Sequence, residues 1–211
     1  MIKLSNKFLI TAFVTSGTPY EEVLHTYLLP SIQKFNLEYN IEVVENKGSW
    51  LRNVAQKPKI IKEVLDKYPT YQIVCLDADS EIKRVPDLFN QIPLEYDLAC
   101  HYLDWNSWYG YQDSPPVFEL LSGTLWINNT EQTRFVLHKW EEIASHSDIW
   151  EQKVLSQVLT SNPSVNVYKL PVEYCYISSL PNGNPPLNPS EFPVIVHHQV
   201  SRKLKKRIKK D

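Results

Sequence analysis

Glycine is scarce in this chain, at 5 of 211 residues, and cysteine is scarcer, at 3. Cys75, Cys100 and Cys175 are odd in number and far apart, so they supply neither a disulfide framework nor a cysteine metal site. Cys75 and Cys100 fall inside apolar runs, where a free thiol behaves as a small hydrophobe, and a reducing compartment is the simple reading. Excess charge of one sign is missing too. The formal net charge is -2, and a general nucleic-acid binder needs a basic surface to displace counterions from phosphates. Long apolar runs are absent: the longest early one, Phe8 to Val14, is strand length and too short to span a bilayer. Met1 to Lys7 lacks the apolar core and small-residue cleavage site of a signal peptide. These absences point to a soluble, cytoplasmic protein. No internal repeat or long low-complexity stretch divides the chain, so a single domain is expected over residues 1–200. The basic residues 201–211 read as a tail, or as a linker to a further domain.

What the chain does have is an ordinary globular balance, 43% hydrophobic and 22% charged, with 12 Tyr and 6 Trp. Such aromatics fill cores and also offer flat faces to sugars and bases. Phe8 to Val14 and Gln72 to Leu76 are nearly continuous apolar runs, as strands covered on both faces should be. Ile41 to Glu45, Asp97 to Tyr102, Thr124 to Ile127, Val165 to Leu170, Val172 to Ile177 and Val194 to Val196 are further strand candidates. Thr18-Pro19-Tyr20-Glu21 reads as a capping box opening a helix that Pro30 kinks or ends. Val54 to Leu65, a segment after Asn129 or Thr130, and a segment opened by Asp148 with Glu151 in a capping box complete the helices. Strands alternating with helices in the first half imply right-handed crossovers and a mainly parallel sheet. The second half is less regular. The expected class is α/β, with a mixed, mainly parallel central sheet flanked by helices.

In open α/β sheets, ligands bind beyond the carboxyl ends of strands, and the Gln72–Leu76 run leads straight into Asp77-Ala78-Asp79. In an extended segment, residues two apart point the same way, so the two carboxylates can share a hard divalent cation such as Mn²⁺ or Mg²⁺. Asp-x-Asp alone is a weak signal; its place after a buried strand strengthens it. The segment Ile73 to Asp79, with Pro86 and Leu88-Phe89 downstream, resembles the DxD segment of GT-A-fold nucleotide-sugar glycosyltransferases. The short length is similar to that of compact viral (chlorella-virus-like) or bacterial members.

The resemblance implies a Rossmann-related fold, a UDP-sugar donor, Mn²⁺ or Mg²⁺ held by Asp77 and Asp79, and a carbohydrate or glycoprotein-glycan acceptor. It carries nucleotide binding onto Thr15, Ser16 and Gly17, with Tyr20 nearby, and onto Asp77 and Ala78. Arg52 and Lys59 are its candidate basic residues for the diphosphate or base, and Ser122 and Gly123 its close backbone approach to the donor sugar. Asp148 and Glu151 occupy the position of its catalytic or donor-holding acid, though both also suit plain helix capping. A late histidine completes the metal set in such enzymes. Here it is His197 or His198, which strand alternation keeps from facing the metal together, and Arg202 and Lys203 follow as phosphate contacts. His101 to Tyr111, dense in aromatics, is the expected acceptor region.

Two other functions compete. A sugar-phosphate nucleotidyltransferase also uses paired aspartates and metal, but it often carries a basic, Gly-rich N-terminal loop. Thr15 to Thr18 has one glycine and no lysine. A non-catalytic carbohydrate-binding domain would leave the acidic pair merely structural.

Overall fold

The computed structural model describes residues 7–110, 117–187 and 189–204. Its centre is a six-stranded sheet in the order β2-β1-β3-β6-β5-β7, formed by β1 (Phe8–Thr15), β2 (Tyr39–Val44), β3 (Gln72–Leu76), β5 (Leu98–Asp104), β6 (Phe118–Ile127) and β7 (Val167–Lys169). β1 pairs in parallel with β2 and β3, and β5 with β7, while β6 runs antiparallel to both β3 and β5. The sheet is mixed and mostly parallel, as the alternation of elements implies.

The pleat explains the continuous apolar runs. Ile73 and Cys75 of β3 join Leu125 and Ile127 of β6 on one face, under α4 (Lys57–Lys67), α6 (Glu131–His146) and α7 (Glu151–Thr160). Val74 and Leu76 join Trp126 on the other, under α1 (Tyr20–Thr26) and α2 (Leu28–Lys34). Both faces are therefore covered, and neither can tolerate a polar alternation.

Several local expectations change. Thr18 does not cap α1: its hydroxyl donates back to the Thr15 carbonyl, and Glu21 accepts from the Gly17 N–H instead. The first helix breaks at Tyr27, and Pro30 lies in the opening turn of α2, where it has no N–H to offer the end of α1. The run from Val54 to Leu65 is two helices, α3 (Trp50–Val54) and α4, with Ser49 capping the first by accepting from the Arg52 N–H. Thr130 caps α6 as expected, whereas α7 begins at Glu151 and leaves Asp148 outside the helix.

A second, three-stranded sheet has the order β4-β9-β8, from β4 (Ser80–Ile82), β8 (Tyr176–Ile177) and β9 (Ile195–His197). α5 (Trp105–Tyr109) follows β5, and α8 (Ser201–Leu204) forms the start of the basic segment, with Leu204 buried. Lys205, Lys206, Arg207, Lys209 and Lys210 lie outside the described residues.

Candidate active site

At the carboxyl ends of β1 and β3 a cavity of about 330 Å³ opens, and its floor is the turn leaving β3. The aspartates do not converge by extended alternation. The Ser80 N–H donates to the Asp77 carbonyl at 3.0 Å, closing a four-residue turn that swings both carboxylates to one side. Asp79 is buried, and its Oδ2 accepts from the Val200 N–H at 2.8 Å. Burial and the neighbouring charge of Asp77 push its carboxyl up to about 6.

β9 brings the third member. Its pairing sets Ser80 opposite His197, and the ligand atoms of Asp77, Asp79 and His197 all lie within 4.8 Å of one another. The His197 ring is 2% exposed, with Nε2 2.9 Å from Thr124 Oγ1 and Nδ1 3.2 Å from Ser80 Oγ. Burial lowers its pKa to about 4, so the ring is neutral, the form that ligates metals. His198, the neighbouring candidate, faces away: Nε2 lies 2.9 Å from Glu81 Oε2 and the ring stacks on Tyr27.

Gly123 is where the site would close if it had a side chain. A Cβ there would stand 2.7 Å from His197 Cε1, 2.9 Å from its Nδ1 and 3.2 Å from Asp77 Oδ2. The missing Cβ thus admits the histidine and the aspartate, a nearer reason for glycine than approach of a donor sugar.

Behind Asp77 sits a buried lysine. Lys57, the first residue of α4, places Nζ 2.8 Å from Asp77 Oδ1, 3.3 Å from Glu151 Oε1 and 3.2 Å from the Ser122 carbonyl. Desolvation pulls its pKa down, but the two carboxylates outweigh it and hold the ammonium charged. Glu151 is equally buried; it accepts from Ser122 Oγ at 3.0 Å, and its Oε2 finds no partner among the described residues. Burial raises its pKa, against the pull of Lys57. Gln152 fixes the strand beside it by accepting from the Ser122 N–H at 3.0 Å.

The mouth is aromatic. Tyr20, Trp50 and Trp150 line it, with the two indoles 5.8 Å apart, alongside Thr15, Asn53 and Arg202. Burial lowers the Arg202 pKa, and its Nη1 donates to the Ser179 carbonyl at 2.7 Å.

Of the residues singled out in the sequence, Thr15, Asp77, Ala78, Asp79, Ser122, Gly123, Glu151, His197 and Arg202 line this cavity. Ser16, Gly17, Arg52, Lys59, Asp148, His198 and Lys203 do not. Arg52 donates to the Ser145 carbonyl at the end of α6 and approaches the exposed Asp148 at 3.8 Å. Arg52 is drawn off by that helix end, where a cation is favoured, and Asp148 follows Arg52. Lys59 points outward to Glu63, one turn along. Lys203 is exposed on α8. Lys57 was the basic residue to choose, and helical phase could have found it. It lies four residues before Ile61 and seven before Val64, on the buried stripe of α4. In the aromatic segment, Trp108 is core, Tyr109 lines the cavity, and Tyr111 lies outside the described residues.

Among solved structures, the chain is similar to a glycosyltransferase involved in glycosylation of the major capsid of PBCV-1. The TM-score is 0.64 at 13% identity, covering 96% of this chain and 98% of that one. It is also similar to the glycosyltransferase GlyE of Streptococcus pneumoniae, with TM-score 0.54, 12% identity and coverage of 92% and 54%. The bifunctional glycosyltransferase WbbM follows, with TM-score 0.53, 13% identity and coverage of 93% and 46%. The chain spans about half the length of these last two. No protein-family model matches the sequence, and no curated protein matches it either. At such identities the likeness is one of fold: the chain has the α/β fold of glycosyltransferases. No helix among the described residues is long and apolar enough to cross a membrane.

Proposed function

We propose that the protein is a metal-dependent glycosyltransferase that moves a sugar from a nucleoside diphosphate, UDP-hexose, to a carbohydrate hydroxyl. The observation that carries this reading is the convergence of Asp77, Asp79 and His197 on one edge of an aromatic-mouthed cavity. Two carboxylates and a neutral imidazole are a donor set suited to Mn²⁺ or Mg²⁺, and the cradle that a Gly123 Cβ would fill leaves their ligand edges open. When bound, the cation offsets charge that builds on the departing diphosphate.

The chain's own residues supply the rest. Tyr20, Trp50 and Trp150 offer flat faces to the base, and Thr15 and Asn53 offer polar groups to base and ribose. Lys57 occupies Asp77 Oδ1 and so fixes which way that carboxylate presents its other oxygen. The orphan Oε2 of Glu151 accepts a hydrogen bond from a sugar hydroxyl, since a buried acceptor without a donor is costly. In the transfer, the acceptor oxygen bonds to the anomeric carbon as its proton passes to solvent or to the departing diphosphate, the bond from that carbon to the diphosphate oxygen breaks, and UDP leaves.

Calorimetric titration with UDP, with and without Mn²⁺, tests the reading. Binding that requires the metal is expected. Equal binding without it, or none under either condition, overturns the proposal.

A further inference from the structure

A second cavity, about 350 Å³, lies between the start of β6 and the outer side of α7. Glu119 and Gln152 line both cavities and so form the wall they share. That wall is ordered: Gln152 Nε2 donates to Glu119 Oε1 at 2.9 Å, while the Trp105 indole N–H donates to Glu119 Oε2 at 2.9 Å. Trp105 is therefore held in place with its ring lining the second cavity. Phe118 lines it too and is 62% exposed, although β6 is buried over its last eight positions. An exposed phenyl at the strand's open end contributes nothing to the core. Lys153 and Gln157, one turn apart on α7, supply exposed polar groups at the rim.

From this placement we infer that the second cavity is the acceptor subsite, and that its occupant is a sugar ring of the accepting glycan. The inference rests on the glycosyltransferase reading and adds where the acceptor sits. Its chemistry is that of carbohydrate. Rings such as Trp105 and Phe118 cover the apolar C–H face of a pyranose. Lys153 and Gln157 reach its hydroxyls from the side, and Glu119 and Gln152 bound it on the side of the donor cavity. The volume falls at the lower end of small-ligand sites, roughly 300–1,000 Å³, which suits one or two sugar rings. A purely apolar ligand would leave Lys153 and Gln157 unmatched, and a phosphorylated one would meet a single cation.

Saturation-transfer NMR with the methyl glycosides of lactose, maltose and mannobiose, recorded with UDP and Mn²⁺ at saturation, tests this. Saturation is expected on the ring protons of at least one glycoside. Phe118→Ala should weaken its affinity about tenfold, the loss of one stacking face. Gln157→Ala should weaken it less, and the two changes touch no core residue. No transfer to any of the three glycosides, or transfer undiminished in both variants, overturns the inference. UDP titration of the same samples separates the two readings: if UDP fails to bind, the donor proposal falls, whereas UDP binding without glycoside contact removes only the acceptor subsite.

Discussion

The two sheets of this molecule differ in strand length and in where their strands come from. The strands of the large sheet at the site, β1, β3 and β6, run 8, 5 and 10 residues and are apolar on both faces. Those of the small sheet have 3, 2 and 3 residues and come from three distant parts of the chain. The large sheet holds itself together by burial. The small one is buried as well, with Ile82 and Ile195 in the core, and it adds tethers: the His198 N–H donates to the Asp79 carbonyl and the Val200 N–H to its carboxylate. Yet the small sheet delivers His197. The long strands thus carry most of the core and one side of the site, while the short sheet adds the histidine.

The contrast can be broken by substitutions that ought to affect one part and spare the other. The largest effect belongs to Trp126→Ala in the large sheet. Trp126 is fully buried, and its truncation should cost about 3–5 kcal/mol in denaturant unfolding, enough to threaten the fold. Lys57→Met, at the junction of core and site, leaves the buried Glu151 and the partly exposed Asp77 without their cation. A loss of roughly 3–5 kcal/mol is expected, together with weaker UDP binding. Asp79→Asn should do the reverse of Trp126→Ala. Mn²⁺-dependent UDP affinity should drop by more than the roughly 10–100-fold seen for residues behind a metal ligand. The metal-free melting temperature should hold or rise, because a desolvated charge beside Asp77 is gone. A metal-free Asp79→Asn variant that melts well below the parent would show the small sheet to be a stability element after all.

The same carboxylate gives a subtler pH signature in the metal-free protein. Its folded pKa of about 6 exceeds the ordinary 3.8, so its contribution to stability is complete below 3.8 and fades as pH rises through about 6. Thermal melts in chelator between pH 4 and 7.5 should show that fall, and Asp79→Asn should remove it. Smallest of all is Lys59→Ala: its exposed pair with Glu63 should contribute at most about 0.5 kcal/mol, with UDP affinity unchanged.

The division also explains what the sequence disclosed. β1, β3 and the aspartates after β3 were legible because two-sided burial writes long apolar runs. The choice of Lys57 over Lys59, and of Glu151 over Asp148, was legible in principle. Glu151 precedes Leu155 by four residues and Val158 by seven, as Lys57 precedes Ile61 and Val64. Lys57 and Glu151 lie on the buried stripes of their helices, whereas Lys59 is exposed to solvent and Asp148 lies outside the helix. His197 against His198 was not legible. All three residues of β9 are buried, so no alternation marks a face, and the choice depends on pairing with β4 across more than a hundred residues. The turn at Asp77–Ser80 was equally hidden, since nothing in Asp-Ala-Asp-Ser announces a reversal rather than an extended exit.

Because Asp79 is gripped by backbone from residues 198 and 200, the order in which a ribosome delivers the chain matters. β1, β3 and β6 emerge early and can pack before the last strand exists, but His197, the third member of the proposed metal set, arrives only with β9. A nascent or proteolytically clipped chain that stops short of Ile195 would keep much of its hydrophobic interior and lack His197. On the proposed metal site, metal affinity would report on whether the C-terminal segment has been made and kept, a readout that melting curves alone would miss.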